Sequence, residues 1–177
     1  METNENFSPL KNAMNFGAML GLASMLISFV LQLLKIRDGA LPQFLMVAIS
    51  TVFIVLGSNF YKKNKNGFMS YGQALGQGVL ISLFGSILLA FFIYFYFQMA
   101  SPESLQEIKD LAEIQLEEQG LDEKEFEMAL QIQQMFMTPG MMAIFTILGN
   151  MLIGTIIALI TSAILKKEDN SFESNFK

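Results

Sequence analysis

Neither cysteine nor histidine occurs in the 177 residues of this chain. Without cysteine there is no disulfide framework, no thiolate metal site and no thiol nucleophile. Without histidine, the commonest general acid–base and the commonest transition-metal ligand are missing together. Charge is also scarce. Asp, Glu, Lys and Arg make up 15% of the chain, against about 25% in ordinary soluble domains. The charges that exist gather at the two ends, in short connecting stretches and in one acidic block over residues 103–127. The net charge of −5 therefore reflects one segment more than the whole molecule.

What is present is apolar length. Hydrophobic residues make up 53% of the sequence, and four uncharged runs lie at about 13–34, 40–60, 71–99 and 139–165. Each exceeds the roughly 18 residues that a membrane-crossing helix needs. Lipid offers no partner for a free backbone N–H or C=O, so runs of this kind cross as helices. The expected fold is an all-α membrane protein of four transmembrane helices in a single integral membrane domain over 1–177. The first run reads as a retained span and not as a cleaved leader. Glu2 and Glu5 spoil the basic leading region, the apolar core is too long, and no small-residue cleavage site follows.

Orientation follows the placement of Lys and Arg. An even number of spans puts both termini and the middle loop on one side, with Lys11, Lys62, Lys63, Lys65, Lys166, Lys167 and Lys177. The other side holds Lys35, Arg37, Lys109 and Lys124, the last two within the acidic block. Both termini, including the tail at 166–177, are accordingly expected in the cytoplasm. The aromatic run Phe91-Phe92-Ile93-Tyr94-Phe95-Tyr96-Phe97 ends the third span. Such rings settle at the headgroup level, and lipid-facing bulk is the expected role.

Between the third and fourth spans, residues 101–137 read as an acidic helical hairpin inserted outside the membrane. Ser101-Pro102 is a helix start, and Glu103 suits the positive end of the helix dipole. Leu105, Ile108, Ala112 and Leu116 share one face, opposite Glu103, Glu107, Asp110, Glu113 and Glu117. Gly120 ends this helix, and Asp122 with Glu125 has the spacing of a capping box for the next. The second helix has a broad apolar arc through Phe126, Met128, Leu130, Ile132, Met135 and Phe136. The hairpin is expected to rest on the outer mouth of the bundle, and Pro139-Gly140 to turn the chain into the last span. Its acidic stripe runs along a helix instead of converging on a point, so a solvated face is expected and not a cation site.

Inside the spans no Asp, Glu, Lys, Arg or His is found, although proton relays and ion-coupled transporters place such groups at membrane depth. The polar content is Ser, Thr, Asn and Gln, expected to hydrogen-bond between helices. Gln73, Gln77 and Asn150 are the candidate polar lining of any path. Gly17 and Gly21 form one GxxxG, and Gly72 and Gly76 another. Gly78, Ser82 and Ser86 continue a small-residue stripe at every fourth position. These seven residues are the candidate helix-packing positions, because small side chains let backbones approach in lipid. The two glycine pairs sit in an internal echo. Asn15-Phe16-Gly17-Ala18-Met19-Leu20-Gly21 opens the first span and Ser70-Tyr71-Gly72-Gln73-Ala74-Leu75-Gly76 the third, with Pro42 and Pro139 entering the spans that follow. A two-helix unit used twice in parallel is the expected explanation.

The stretch Gly67-Phe68-Met69-Ser70-Tyr71-Gly72-Gln73-Ala74, the aromatic run through Phe97 and the Ser101-Pro102 that follows carry a family resemblance. On these residues the chain resembles the bacterial family called domain of unknown function family 4199: four spans with a polar acidic segment before the last. The resemblance covers nearly the whole chain and implies a multi-pass protein of the bacterial inner membrane. It implies no activity and supplies no catalytic residues.

The functional expectation is a structural or interaction subunit of the membrane and not an enzyme, since no nucleophile–base pair is evident. The alternative is a small-solute transporter or channel-like element acting as an oligomer. No catalytic, metal or cofactor site is expected. The expected partners are the lipid bilayer and a second copy or another membrane protein, and nucleic acid is not among them.

Overall fold

The structure is a computed structural model and describes residues 8–36 and 39–167. Glu2, Glu5, Arg37, Lys177 and most of the tail at 166–177 lie outside the described residues. Six α-helices are described: α1 Pro9–Leu33, α2 Ala40–Asn64, α3 Tyr71–Phe95, α4 Pro102–Glu117, α5 Glu123–Phe136 and α6 Pro139–Leu165. A π-helical turn, Tyr96–Ala100, continues α3. Four of these elements are long and apolar enough to cross a membrane: α1, α2, α3 with its π turn, and α6. This is a multi-pass, all-helical membrane protein.

α1 at its start and α2 at its end outrun the hydropathy that announced them, because hydrogen bonding and not oiliness sets helix ends. α1 starts four residues before the expected Ala13, with Ser8 as N-cap and Pro9 in its first turn. α2 runs past Phe60 through Lys62 and Lys63, basic residues that suit the negative end of a helix dipole. In α6, Thr138 is the cap: its carbonyl oxygen accepts from the Met142 N–H at 2.9 Å. Pro139 is therefore the first residue of the helix, which is where proline is tolerated.

The chain divides into two compact units. The first comprises residues 1–88 and 148–177 and holds α1, α2, most of α3 and the second part of α6. Its apolar centre is Ala13, Leu20, Ile54, Ile81 and Ile157, with Phe16, Ile49, Phe53, Leu80 and Phe84 packed around it. Glycine sets the helix spacing. A methyl group built on Gly17 would sit 2.6 Å from Phe84 Cβ and 2.9 Å from the Ile81 carbonyl oxygen. On Gly21 it would sit 2.7 Å from Leu88 Cβ. So α1 lies directly on α3, and residues advance together along both helices, as two spans crossing in the same direction must. Along α6 the order reverses: Gly78 meets Ala158, and Ser82 meets Gly154. α3 and α6 therefore cross in opposite directions.

The second unit comprises residues 89–147. In it, Ser101 does not cap α4 by its side chain. Its hydroxyl instead lies 2.7 Å from the Ser104 hydroxyl, while its N–H donates to the Tyr96 carbonyl oxygen and closes the π turn. α5 is capped as expected: Asp122 Oδ1 accepts the Glu125 N–H at 2.8 Å, and Glu125 Oε2 accepts the Asp122 N–H. Leu105 is buried on α4, with Ile108, Ala112 and Leu116 half-buried on the same face. Gln133 of α5 donates through Nε2 to the Lys109 carbonyl oxygen of α4 at 3.3 Å. In the aromatic run, Phe97 departs from the lipid-facing expectation. It is buried, edge-on to Tyr96 with ring centroids 5.3 Å apart.

Candidate functional site

The polar residues of the first unit collect at one end of the bundle, where four helix termini meet. Asn12 lies one turn inside α1 and Gln77 two turns inside α3, and both are buried. Asn12 Nδ2 donates to Gln77 Oε1 at 2.7 Å and to the Gly57 carbonyl oxygen of α2 at 3.0 Å. Gln77 Nε2 in turn donates to the Pro9 carbonyl oxygen at 2.9 Å. One amide pair thus ties α1, α2 and α3. The Pro9 and Gly57 carbonyls are the backbone acceptors, and at Gly57 no side chain stands in the way of the Asn12 amide. Asn12 Oδ1 is buried and accepts no bond.

The surrounding contacts close the same end. Lys62 Nζ of α2 donates to the Leu165 carbonyl oxygen at 2.8 Å, serving one of the carbonyls that the last turn of α6 leaves unpaired. Met69 and Lys167 exchange two backbone hydrogen bonds of 2.9 Å, pinning the start of α3 to the end of α6. The Lys167 ammonium stands 5.7 Å from the centre of the Phe68 ring, within cation–π range. Tyr61, Met69 and Ala74 are buried beneath, with Leu165 against them. Lys11, Lys62, Lys166 and Lys167 therefore share one end of the molecule, which the alternation of the spans requires. A groove of about 530 Å³ opens beside Asn12. Ser8, Lys11 and Asn15 line it first along α1, then Phe16 and Met19, with Phe60 of α2 opposite.

The expected packing residues divide. Gly17, Gly21, Gly78 and Ser82 stand at helix crossings, and Ser86 is buried on the same α3 stripe. Gly72 and Gly76 differ from these: among the described residues nothing lies within 4 Å of a methyl group built on either. Sequence reading missed Gly57, Gly85 and Gly154. A methyl group on Gly85 would meet Leu20 at 2.9 Å, on Gly57 it would meet Ile81 at 2.5 Å, and on Gly154 it would run into Ser82. Gly85 is one residue from the 78/82/86 stripe, about 100° around the helix. That offset faces it toward α1 while the stripe faces α6.

The expected polar lining does not come together. Gln77 is occupied by Asn12 and Pro9. Gln73 completes a cap instead: its Oε1 accepts the Ser70 N–H at 3.1 Å, and the Ser70 hydroxyl accepts the Gln73 N–H at 3.3 Å. Asn150 lies farther along α6. Since Gly78 faces Ala158, Asn150 is about 13 Å along the seam from Gln77 at 1.5 Å rise per residue. Several hydroxyls bond within their own helix. Thr51, Ser82, Thr146, Thr155 and Thr161 each donate to the carbonyl oxygen four residues earlier in their own helix, at 2.7–2.9 Å. Ser86 does the same to Leu83, three residues back. A back-bonded hydroxyl is satisfied locally and behaves as a small side chain, which is how Ser82 fits against Gly154.

Chemically, the amide pair can hold helices in register. Neither amide takes up or releases a proton near neutral pH, so the pair is not a proton carrier. No curated protein and no solved structure matches this chain. A family model matches residues 15–167, from the second turn of α1 to the end of α6, and on that match the chain belongs to the family described as protein of unknown function (DUF4199).

Proposed function

We propose that this protein is a structural or interaction subunit of a bacterial inner membrane, not an enzyme, with both termini in the cytoplasm and the basic end of the bundle facing inward. In this reading α4 and α5 form an acidic helical hairpin held on the opposite side. The observation that carries the reading is the state of Gln73 and Gln77. Both candidate lining amides are consumed in helix capping and interhelical bonding, and Asn150 stands well away from them. The polar groups thus serve assembly of the bundle. The basic end supports the orientation, since Lys-rich connections tend to stay cytoplasmic. The bilayer and a second copy or another membrane protein are the partners in this reading.

The test is the mass of the assembly extracted directly from native membranes into lipid discs, with its components identified by mass spectrometry. A discrete species larger than one chain is expected. Recovery of a lone chain from membranes under several mild conditions would remove the proposal. Solute flux through reconstituted protein that disappears on Gln77→Leu would favour the transport alternative instead.

A further inference from the structure

α5 has two apolar faces, and the described residues cover only one of them. Phe126 and Leu130 are half-buried on the side from which Gln133 reaches α4. Roughly half a turn around the helix, Met128, Ile132, Met135 and Phe136 are exposed at 57%, 56%, 67% and 42%. Their spacing of four, three and one places them along a single stripe at 100° per residue. Glu123, Lys124, Glu127, Gln131 and Gln134 are exposed and fill a band beside it. A stripe of this kind facing water would be costly, because apolar area left in water forgoes about 25 cal/mol per Å².

The chain itself indicates what covers the stripe. Only Met137 and Thr138 separate α5 from α6, and α6 is one of the four membrane-crossing helices. The Phe136 ring, at the end of the stripe, lies 5.6 Å from the Phe145 ring of α6. Phe145 and its neighbour Ile144 are themselves exposed, at 48% and 50%, on a helix surrounded by lipid. The stripe therefore runs without interruption into a lipid-facing surface. We propose that α5 is an interfacial helix whose Met128–Ile132–Met135–Phe136 face lies in the boundary of the bilayer, on zwitterionic lipid. Hydrophobic burial alone drives the contact. The α5 segment carries Glu123, Glu125 and Glu127 against a single Lys124, so anionic headgroups would repel it, unlike the basic interfacial helices they usually attract. This inference needs only that α6 spans the membrane and holds whatever partner the bundle has.

The chain contains no tryptophan, so one introduced ring reports alone. Ile132→Trp and Met135→Trp would each be made in the full-length protein and compared with Glu127→Trp on the polar band. All three would be reconstituted in phosphatidylcholine vesicles with and without brominated acyl chains. An interfacial face sits roughly 5–10 Å into the headgroup boundary. Ile132→Trp and Met135→Trp should then emit at shorter wavelength than Glu127→Trp. Brominated lipid should quench them several-fold more, and aqueous acrylamide less. Replacing a third of the lipid with phosphatidylglycerol should not increase the lipid quenching. Free access of acrylamide to Ile132→Trp, with no quenching by brominated lipid, would overturn the proposal. Shielding from both quenchers would overturn it as well, by showing that protein, such as a second copy, covers the stripe. Either variant alone suffices if the other fails to fold.

Discussion

In α1, Gly17 and Gly21 lie against α3, where a single added methyl group would come within 2.6–2.7 Å of Phe84 and Leu88. In α3, Gly72 and Gly76 occupy the same places in nearly the same sequence, and an added methyl group would meet nothing within 4 Å. The two openings are alike in residue type and spacing, yet only one is a helix contact. A GxxxG pair permits close approach, but a partner must be aimed at it. α3 turns other residues to its neighbours: Gly85 toward α1, and Gly78 with Ser82 toward α6. The internal echo therefore has no counterpart in packing at these glycines.

The largest effect should come from enlarging the glycines that have neighbours. Gly17→Leu drives a full side chain into Phe84 and the Ile81 carbonyl, and backbone is the hardest neighbour to displace. Overpacking costs about 1–3 kcal/mol and sometimes more, and this site should lie at or above the top of that range. Gly72→Leu should cost less than about 0.5 kcal/mol, as surface changes do. Unfolding in mild detergent, followed by helical circular dichroism, separates the two. Equal losses would mean that the α3 pair is also a contact, made with something outside the described residues.

A second contrast lies in the amides beside the two openings, Asn12 before the first and Gln77 after the second. Asn12→Leu leaves the Gly57 carbonyl and Gln77 Oε1 without their shared donor. A buried acceptor left unpaired costs about 1–3 kcal/mol, whereas intramembrane hydrogen bonds average about 0.6 kcal/mol and reach about 1.7. The expected loss is about 1–2 kcal/mol. Gln77→Leu should cost a similar amount, because it removes both the acceptor of one Asn12 bond and the donor to the Pro9 carbonyl. The pair should couple: the double variant Asn12→Leu/Gln77→Leu should lose about 1 kcal/mol less than the sum. Strict additivity would show that the two amides act separately.

The four spans were legible because each is a long uncharged run, and the capping box at Asp122 because its two residues are fixed by spacing alone. Faces were harder. Hydropathy around these helices is nearly uniform, so no apolar stripe marks which side of α3 meets α1, and Gly85 went unseen one position from a stripe that was seen. Asn12 escaped for another reason. It stands just before the apolar run and beside Lys11, where a polar residue looks like a solvated flank, yet α1 begins at Pro9 and carries it inside. Gln77 was singled out for its polarity, but its partner sits 65 residues away, and no local pattern announces such a pair.

A smaller test concerns the start of α3. Gln73 and Ser70 satisfy each other's backbone N–H groups. Gln73→Ala removes half of that exchange and should cost about 0.5–1 kcal/mol, near the low end for capping losses. A role as path lining predicts something else: altered solute flux with stability unchanged. Measuring both on one variant distinguishes a cap from a lining residue.

The smallest effect is the sharpest, because its sign reverses between the two openings. Glycine inside a helix is less favourable than alanine by about 0.8–1.0 kcal/mol, owing to the backbone freedom it surrenders. At Gly76 a methyl group has open space, so Gly76→Ala should keep much of that gain and stabilise the protein by about 0.5 kcal/mol. At Gly21 the same gain is available, but the methyl group would lie 2.7 Å from Leu88 Cβ and 3.0 Å from the Gly85 carbonyl oxygen. The α1–α3 crossing would have to widen, and every other contact along it would loosen with it. Gly21→Ala should therefore destabilise while Gly76→Ala stabilises, although the substitution, the helix type and the motif position are the same. If both stabilise, α1 and α3 are not held together as tightly as Gly17, Gly21 and Gly85 imply; if both destabilise, Gly76 faces a neighbour that the described residues do not supply.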